Sequence, residues 1–356
     1  CSYTYKDGNL TSESDYKGNL NFYTYDVIGN RISSTDREGN TTSYSYDLGR
    51  HVTGTTNALG VGTSCVYDDE GNVIKATDAN GNQTRFKYED GLLAKTIRAD
   101  GTALQHDYDA VGNEIQSVKS DGLTVSGVYD AAGNCLQTIA AGQLQETNAY
   151  DTESRLVSST DANGNTTSYS YYPNGSPYQV SGPDGSSLLY TYNSLWELIS
   201  VTDALGRTVS YEYDSSGRMI CERNALGEEQ KYTYDIYGNV VTVTDPNGNS
   251  VTFAYDANGN CITRTDASGQ VYHFEYDKED RLISTWTMTA SAGEVRESYS
   301  YDALGRTTQY TDAEGNTYKY TYDANGNVLT ASDALGNVIL NSTYDSVNQL
   351  VSSSDA

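Results

Sequence analysis

Apolar and polar positions alternate along the chain in short runs of about six or seven residues, such as "RISST" and "TTSYSY", each closed by a polar cluster of Asp, Gly and Asn. The tyrosines give the measure. The second Tyr of a Y-x-Y-D phrase falls at Tyr25, Tyr46, Tyr67 and, further on, at Tyr234, Tyr255, Tyr276, Tyr301 and Tyr322. The step is about 21 residues, a fixed period that marks a repeat architecture. Each unit holds two turns: Asp26 to Asn30 with Gly29, and Asp36 to Asn40 with Gly39. Each unit therefore reads as a β-hairpin. Asp at the first turn position accepts hydrogen bonds from the backbone ahead of it, Gly supplies a positive φ and Asn tolerates one. The repeat positions Tyr25, Asp26, Gly29, Asn30, Asp36, Gly39, Tyr46, Asp47, Tyr234, Asp235, Tyr255, Asp256, Tyr322 and Asp323 are thus structural.

The residue two places after GN or GR is usually apolar, as at Ile32, Ile74, Ile115, Leu136, Val241, Ile262 and Leu329. The pattern leaves open whether these share a face with the tyrosines, because a register change of one residue reverses the answer. At Asp100-Gly101, Asp121-Gly122 and Asp184-Gly185 the second turn is expected to shrink to a two-residue hairpin loop. Two stretches break the pattern. Residues 171–185, "YYPNGSPYQVSGPDG", hold three of the four prolines, and a kink or altered curvature is expected there. Residues 283–301 carry extra length, which predicts a taller hairpin and makes Trp286 and Met288 the candidate partner contact, the alternative being packing on the next hairpin.

Stacked hairpins pair their edges, bury the Tyr rings on one another and gain stability as a sum of nearest-neighbour terms. The fold class is all-β: one array over residues 1–356, tandem antiparallel hairpins forming a continuous curved or spiral sheet. About 33 strands at roughly 4.8 Å give a ribbon near 160 Å long and about 25 Å tall, which bent into a ring about 50 Å across is a single belt.

Composition agrees. There are 33 Tyr against 4 Phe, 33 Gly against 4 Pro, and a net charge of −26. That acidity argues against nucleic acid as a partner and suits an extracellular or cell-surface location. No apolar stretch approaches the roughly 20 residues of a membrane span. Cys1, Cys65, Cys135, Cys221 and Cys261 are scattered singly, neither a disulfide framework nor a zinc site. His51, His106 and His273 sit in no nucleophile or metal motif, and carboxylates recur in every turn for structural reasons, so no enzyme is expected. Runs such as Asp78 to Asn82 have a loose likeness to cation loops but lack the distal Glu of an EF-hand; no cofactor is expected, with Ca2+ the weak alternative.

The phrase "YSYDALGRTTQYTDAEGN" (299–316) resembles the YD repeat of the Rhs family, and the likeness runs the length of the chain. Its members include bacterial polymorphic toxins, wall-associated proteins, the B and C components of insecticidal toxin complexes and the teneurins. The resemblance implies a long sheet wound into a hollow shell, which in many bacterial members encloses the protein's own toxin. No core segment of the DPxG type is found after the repeats, and there is no candidate for the self-cleaving aspartates of some members. The expected role is a non-catalytic structural segment: a shell wall around a toxin, or an elongated surface scaffold. Its partners are adjacent repeats of the same or another chain. The alternative is a cell-wall or carbohydrate-binding module that stacks exposed Tyr rings on glycans. The chain opens and closes inside the repeat, at "CSYTYKDGN" and "SSSDA", and is expected to be a cut fragment whose free hairpin edges pair with another chain.

Overall fold

The computed structural model describes residues 1–355. Among them lie 34 strands in one antiparallel sheet and no helix. Sequence neighbours pair, so the sheet is a meander of hairpins: Leu20–Tyr25 pairs with Arg31–Thr35, which pairs with Thr41–Tyr46, and so on. The strands group into two compact units. The first comprises Cys1–Tyr88, Thr96–Thr102 and the described chain from Thr252 onward; the second comprises Glu89–Lys95 and Ala103–Val251.

The two turns of each repeat lie on opposite edges of the ribbon. The turns that follow the Y-x-Y phrase form what we call the YD edge, and those that follow a Thr-Asp phrase form the TD edge. Both edges use one loop. The first residue donates its N–H to the carbonyl four places on and accepts from the N–H three places on, as in Asp26 with Asn30 and Gly29. That is a three-residue hairpin loop whose last member must take a left-handed φ, and Gly29 does so at 87°.

This geometry corrects the expectation of shrunken turns. Arg98 bonds Thr102 and Gly101, Lys119 bonds Leu123 and Gly122, and Gly182 bonds Ser186 and Gly185, in the same pattern as the full D-x-x-G-N loop. The loop keeps its length and the Asp has moved to its third position. Two-residue loops with positive φ at both residues occur instead at Asp7-Gly8, Asp90-Gly91 and Ala141-Gly142.

The proline stretch does not break the ladder. Tyr171 lies opposite Pro177, and Gln179 opposite Leu189. Pro173 and Pro183 sit second in their loops and Pro177 opens its strand, so none is asked for an interior ladder N–H. The taller hairpin is present, with strands Leu282–Thr289 and Gly293–Tyr301.

The core is thin. Cys221 and Ala331 are the buried apolar residues among those described, and no large side chain is fully buried. Hydrogen bonds and ring stacking between neighbouring strands therefore carry more of the stability than in a globular domain. Tyr299, Tyr310 and Tyr318 show this on three successive strands, with ring centroids 5.2 and 6.1 Å apart. Burial and the nearby Glu297 carboxylate push the Tyr310 hydroxyl up to about 12.

Candidate functional site

The repeat phrase is a hydrogen-bonding device before it is anything else. In most YD loops the Asp carboxylate accepts two backbone N–H groups through one oxygen and the terminal Asn or Arg side chain through the other. Asp26 takes Ile28 N, Asn30 N and Asn30 Nδ2 at 3.0, 2.9 and 2.9 Å. Asp235 and Asp323 repeat the arrangement with Asn239 and Asn327. On the TD edge Asp36 does so with Asn40. The Thr before that Asp pairs its hydroxyl with the residue after the loop: Thr35 with Thr41 at 2.8 Å and Thr160 with Thr166 at 2.8 Å. These oxygens are occupied by the turn itself. Among the described residues no group of three or more His, Cys, Asp or Glu is placed to hold a metal ion.

Beyond the YD loops the register slips in repeat after repeat. Thr24 faces Ser33 and Tyr25 faces Arg31, which leaves Ile32 as the extra residue of a β-bulge. Ile74, Ile115, Leu136, Val241, Ile262 and Leu329 are the same residue in other repeats. The bulge removes the carbonyl before it from the ladder on the far side, where pairing stops two residues short. The Tyr of the next repeat fills that gap with its hydroxyl. Tyr46 donates to Arg31 O at 2.8 Å, Tyr67 to Val52 O at 2.8 Å, Tyr171 to Leu156 O at 2.7 Å and Tyr322 to Thr307 O at 2.6 Å. This is why the repeat uses Tyr and not Phe: a ring alone would cover the strand but leave a backbone acceptor without a donor.

At three YD loops the terminal Arg does three things at once. Arg306 Nε bonds Asp302, its Nη1 bonds the Asp323 carbonyl at 2.9 Å, and its guanidinium lies 4.7 Å from the centre of the Tyr322 ring. Arg218 does the same with Asp214, Asp235 and Tyr234. Each such Arg ties one YD loop to the next, with about 0.5–1 kcal/mol from the cation–π contact at an exposed site.

The loop hydrogen bonds hold the carboxylates below their ordinary range. Side-chain bonds from Asn113, Asn134 and Asn165 do this for Asp109, Asp130 and Asp161, and the Arg218 side chain does it for Asp214. A carboxylate whose folded pKa is depressed favours the fold above its unfolded pKa of 3.8 and loses that contribution as pH falls through the folded value. Urea midpoints measured by circular dichroism should therefore hold from about pH 7 to pH 5 and drop steadily below about pH 4. A midpoint that rises on acidification would mean that relief of the −26 charge outweighs the loops.

The larger site is one that the repeat pattern does not announce. Within the first unit, the TD edge of the early repeats meets the YD edge of the late ones. Tyr16 N donates to Asn258 Oδ1 at 3.0 Å across 242 residues, and Arg37 N to Glu279 Oε1 at 2.6 Å, also across 242. Lys278 N donates back to Glu38 at 2.9 Å. Further along, Asn80 bonds Asp323 and Asn325, and Asn325 bonds Asp78. This corrects the single belt: the YD loops at 256–260, 277–281 and 323–327 lie edge to edge on the TD loops at 15–19, 36–40 and 78–82.

Arg37 is the centre of this seam. Its guanidinium reaches Asp280 at 2.7 Å, Asp15 at 2.9 Å and Glu279 at 3.2 Å. Lys17 adds Asp256 at 2.5 Å. Burial opposes the charge on Asp280, but hydrogen bonds from Asn258, Arg37 and Asn260 bring it down to about 2. Two basic tips thus neutralise a cluster of carboxylates that the chain's overall charge would drive apart. Beyond the tall hairpin the Asn80–Asn325 contact spans 245 residues, and at that spacing the turns at 57–61 and 302–306 fall between these polar contacts. Leu59 is 46% exposed and Leu304 38%, whereas Leu205 and Leu226, at the same loop position away from the seam, are 78% and 84% exposed. The seam therefore covers apolar tips as well as charged ones.

The predicted repeat residues occupy the loops and bulges just described; Asp256 and Asp323 also enter the seam, which sequence reasoning did not find. Trp286 lies between the His273 ring, 3.7 Å away and parallel, and the Arg296 guanidinium at 5.6 Å, while Met288 beside it is exposed. His51 stacks on Tyr67 and bonds its own loop Asp47 at 3.1 Å. All five cysteines are free. No helix is long and apolar enough to cross a membrane.

Known proteins share this architecture. The fold matches the solved TcdB2–TccC3 lacking its hypervariable C-terminal region, with a TM-score of 0.81 at 14% identity over 94% of this chain. It also matches the Tc holotoxin pore of Photorhabdus luminescens carrying a TccC3 mutation, with a TM-score of 0.80, 14% identity and 94% coverage. In both, the chain spans 22% of the matched chain's length. A comparison with curated protein sequences finds no match. The RHS Repeat family pattern matches at residues 25–61, 67–103, 197–229, 255–295 and 301–338, together more than half of the chain. The hairpin period, the bulge-capping tyrosines and these matches lead to one conclusion: the chain belongs to the RHS-repeat family.

Proposed function

We propose that this chain is a non-catalytic wall segment of a secreted RHS-type shell that encloses a toxic polypeptide. The seam carries this reading. A ribbon whose edges join to one another makes a continuous barrier, whereas a scaffold or a glycan-binding strip needs no such closure. The repeat side chains support it too, since their polar atoms are consumed by loops, bulge carbonyls and the seam. The carbohydrate-binding alternative calls for free Tyr rings and hydroxyls, and the YD tyrosines that cap bulges do not offer their hydroxyls. Met288, at the tall hairpin beside Trp286, is the side chain left open for contact with enclosed cargo or a neighbouring wall.

Limited proteolysis of the natural full-length protein tests the proposal. A segment outside the repeats should resist digestion in the intact protein and be cut once Arg37→Glu opens the seam. Equal digestion of both proteins would exclude an enclosing wall.

A further inference from the structure

On one face of the first unit three cations stand together with no carboxylate among them. Lys75 lies directly opposite Arg85 on the neighbouring strand, and Lys87 stands two residues beyond Arg85 on the same face. Arg85 and Lys87 are exposed and Lys75 is half-buried. The same pair of positions recurs in other repeats, where it holds Ser33 with Ser43, Gly54 with Ser64, Ser158 with Ser168 and Ser200 with Ser210. Where one member is a lysine it faces a neutral residue: Lys231 faces Cys221, and Lys319 faces Gln309. Like charges directly opposite one another destabilise a sheet, and diagonal neighbours such as Lys75 and Lys87 remain within reach of long side chains.

Other basic side chains of this acidic chain are neutralised close by. Arg155, Arg218, Arg281 and Arg306 each reach an Asp of their own loop. Lys231 reaches Glu229 at 2.7 Å, and Lys17 and Arg37 sit among the carboxylates of the seam. Among the described residues Lys75, Arg85 and Lys87 form no ion pair. Their neighbours on this face are neutral: Val66 lies opposite Lys75, and Thr77 opposite Gln83. Strand ladders and the seam join hairpins through backbone and loop tips, so neither of them uses this face.

The patch is small and its surroundings are negative. Asp68, Asp69 and Glu70 lie in the loop before the Lys75 strand, and Asp78 lies in the loop after it. A long uniform polyanion such as a nucleic acid would run off the cations onto these carboxylates. A polypeptide carries its charges at discrete places. In an extended chain alternate side chains stand about 7 Å apart on one face. That matches Arg85 and Lys87, themselves alternate residues of a strand.

We infer that Lys75, Arg85 and Lys87 form a docking surface for an extended acidic segment of a partner polypeptide. Carboxylates at alternate residues of that segment seat on Arg85 and Lys87, and Lys75 closes the contact from the neighbouring strand. The partner supplies the opposite charge that the sheet itself withholds at this place.

Fluorescence anisotropy of a labelled peptide of alternating glutamate and threonine, titrated with the 356-residue chain, tests this. The peptide should bind saturably, and more weakly at about 0.5 M than at about 0.05 M salt. A peptide of alternating glutamine and threonine should not bind. Lys75→Thr and Arg85→Ser should each raise the dissociation constant at least ~10-fold, about 1.4 kcal/mol. Lys319→Gln, which removes a cation from the same row of another repeat, should leave binding unchanged. Lys75→Thr also relieves the like-charge pair, so its thermal midpoint without peptide should match or exceed the wild type's, which separates lost docking from lost folding. Absence of saturable binding overturns the inference. So does binding that Lys75→Thr and Arg85→Ser leave unchanged, and so does tighter binding of long-chain polyphosphate than of the peptide, which would assign the patch to polyanions at large.

Discussion

Replacing Arg37 by alanine should open the seam while leaving the hairpins intact. The guanidinium is 15% exposed and lies among Asp15, Glu279 and Asp280, so its removal leaves three partly covered carboxylates facing one another. Breaking a buried ion pair from one side costs about 3–5 kcal/mol. Partial exposure of the acids lowers that to roughly 2–3 kcal/mol here. Amide exchange reads the effect locally. The Tyr16, Arg37 and Lys278 amides, which donate across the seam, should exchange about 30- to 100-fold faster. Amides in the second unit should be unaffected. Arg218→Ala is the comparison: it unties the loop at Asp214 from the loop at Asp235 but touches no seam residue. Unchanged exchange at Tyr16 and Lys278 in the Arg37 variant would show that the edges are held by backbone and apolar contacts alone.

A combined Tyr→Phe substitution at Tyr171, Tyr213, Tyr234 and Tyr276 should lower stability far more than the loss of four surface hydroxyls. These hydroxyls donate to the carbonyls of Leu156, Leu198, Met219 and Cys261, each preceding a bulge. Each variant leaves a covered acceptor unpaired, at about 1 kcal/mol or somewhat more. The four sites share no partner, so the costs should add to about 4–5 kcal/mol in urea unfolding. Tyr237→Phe, at an exposed loop tip, should fall within about 0.5 kcal/mol of the wild type. If the quadruple variant were as stable as the Tyr237 variant, ring stacking and not the hydroxyl would explain the 33 tyrosines.

The hairpin, the period and the two loops of each repeat are legible in the sequence because they are local. Asp26, Gly29 and Asn30 bond within five residues, so the phrase states its own geometry. The bulge is half legible. The recurring apolar residue at Ile32 and its equivalents marks it, but no periodicity can assign its face, since a bulge is a break in the period of two on which such assignments rest. The loops at 100, 121 and 184 mislead because Asp-Gly reads as a two-residue turn, whereas the Gly holds its place in a three-residue loop and the Asp has moved.

Everything within one hairpin and its neighbour is therefore written locally: strand, loop, ring stack and the class of fold. Which loop meets which across 242 residues comes from the packed sheet alone. Near-identical repeats offer near-identical edges, and nothing in a D-x-x-G-N phrase names its distant partner. Lys17 and Arg37 were a faint signal, two basic tips in an acidic chain. Their acidic counterparts at Asp256, Glu279 and Asp280 resemble any other carboxylates until the packing of the first unit's late repeats on its early ones, which no single repeat encodes, brings them within 3.5 Å.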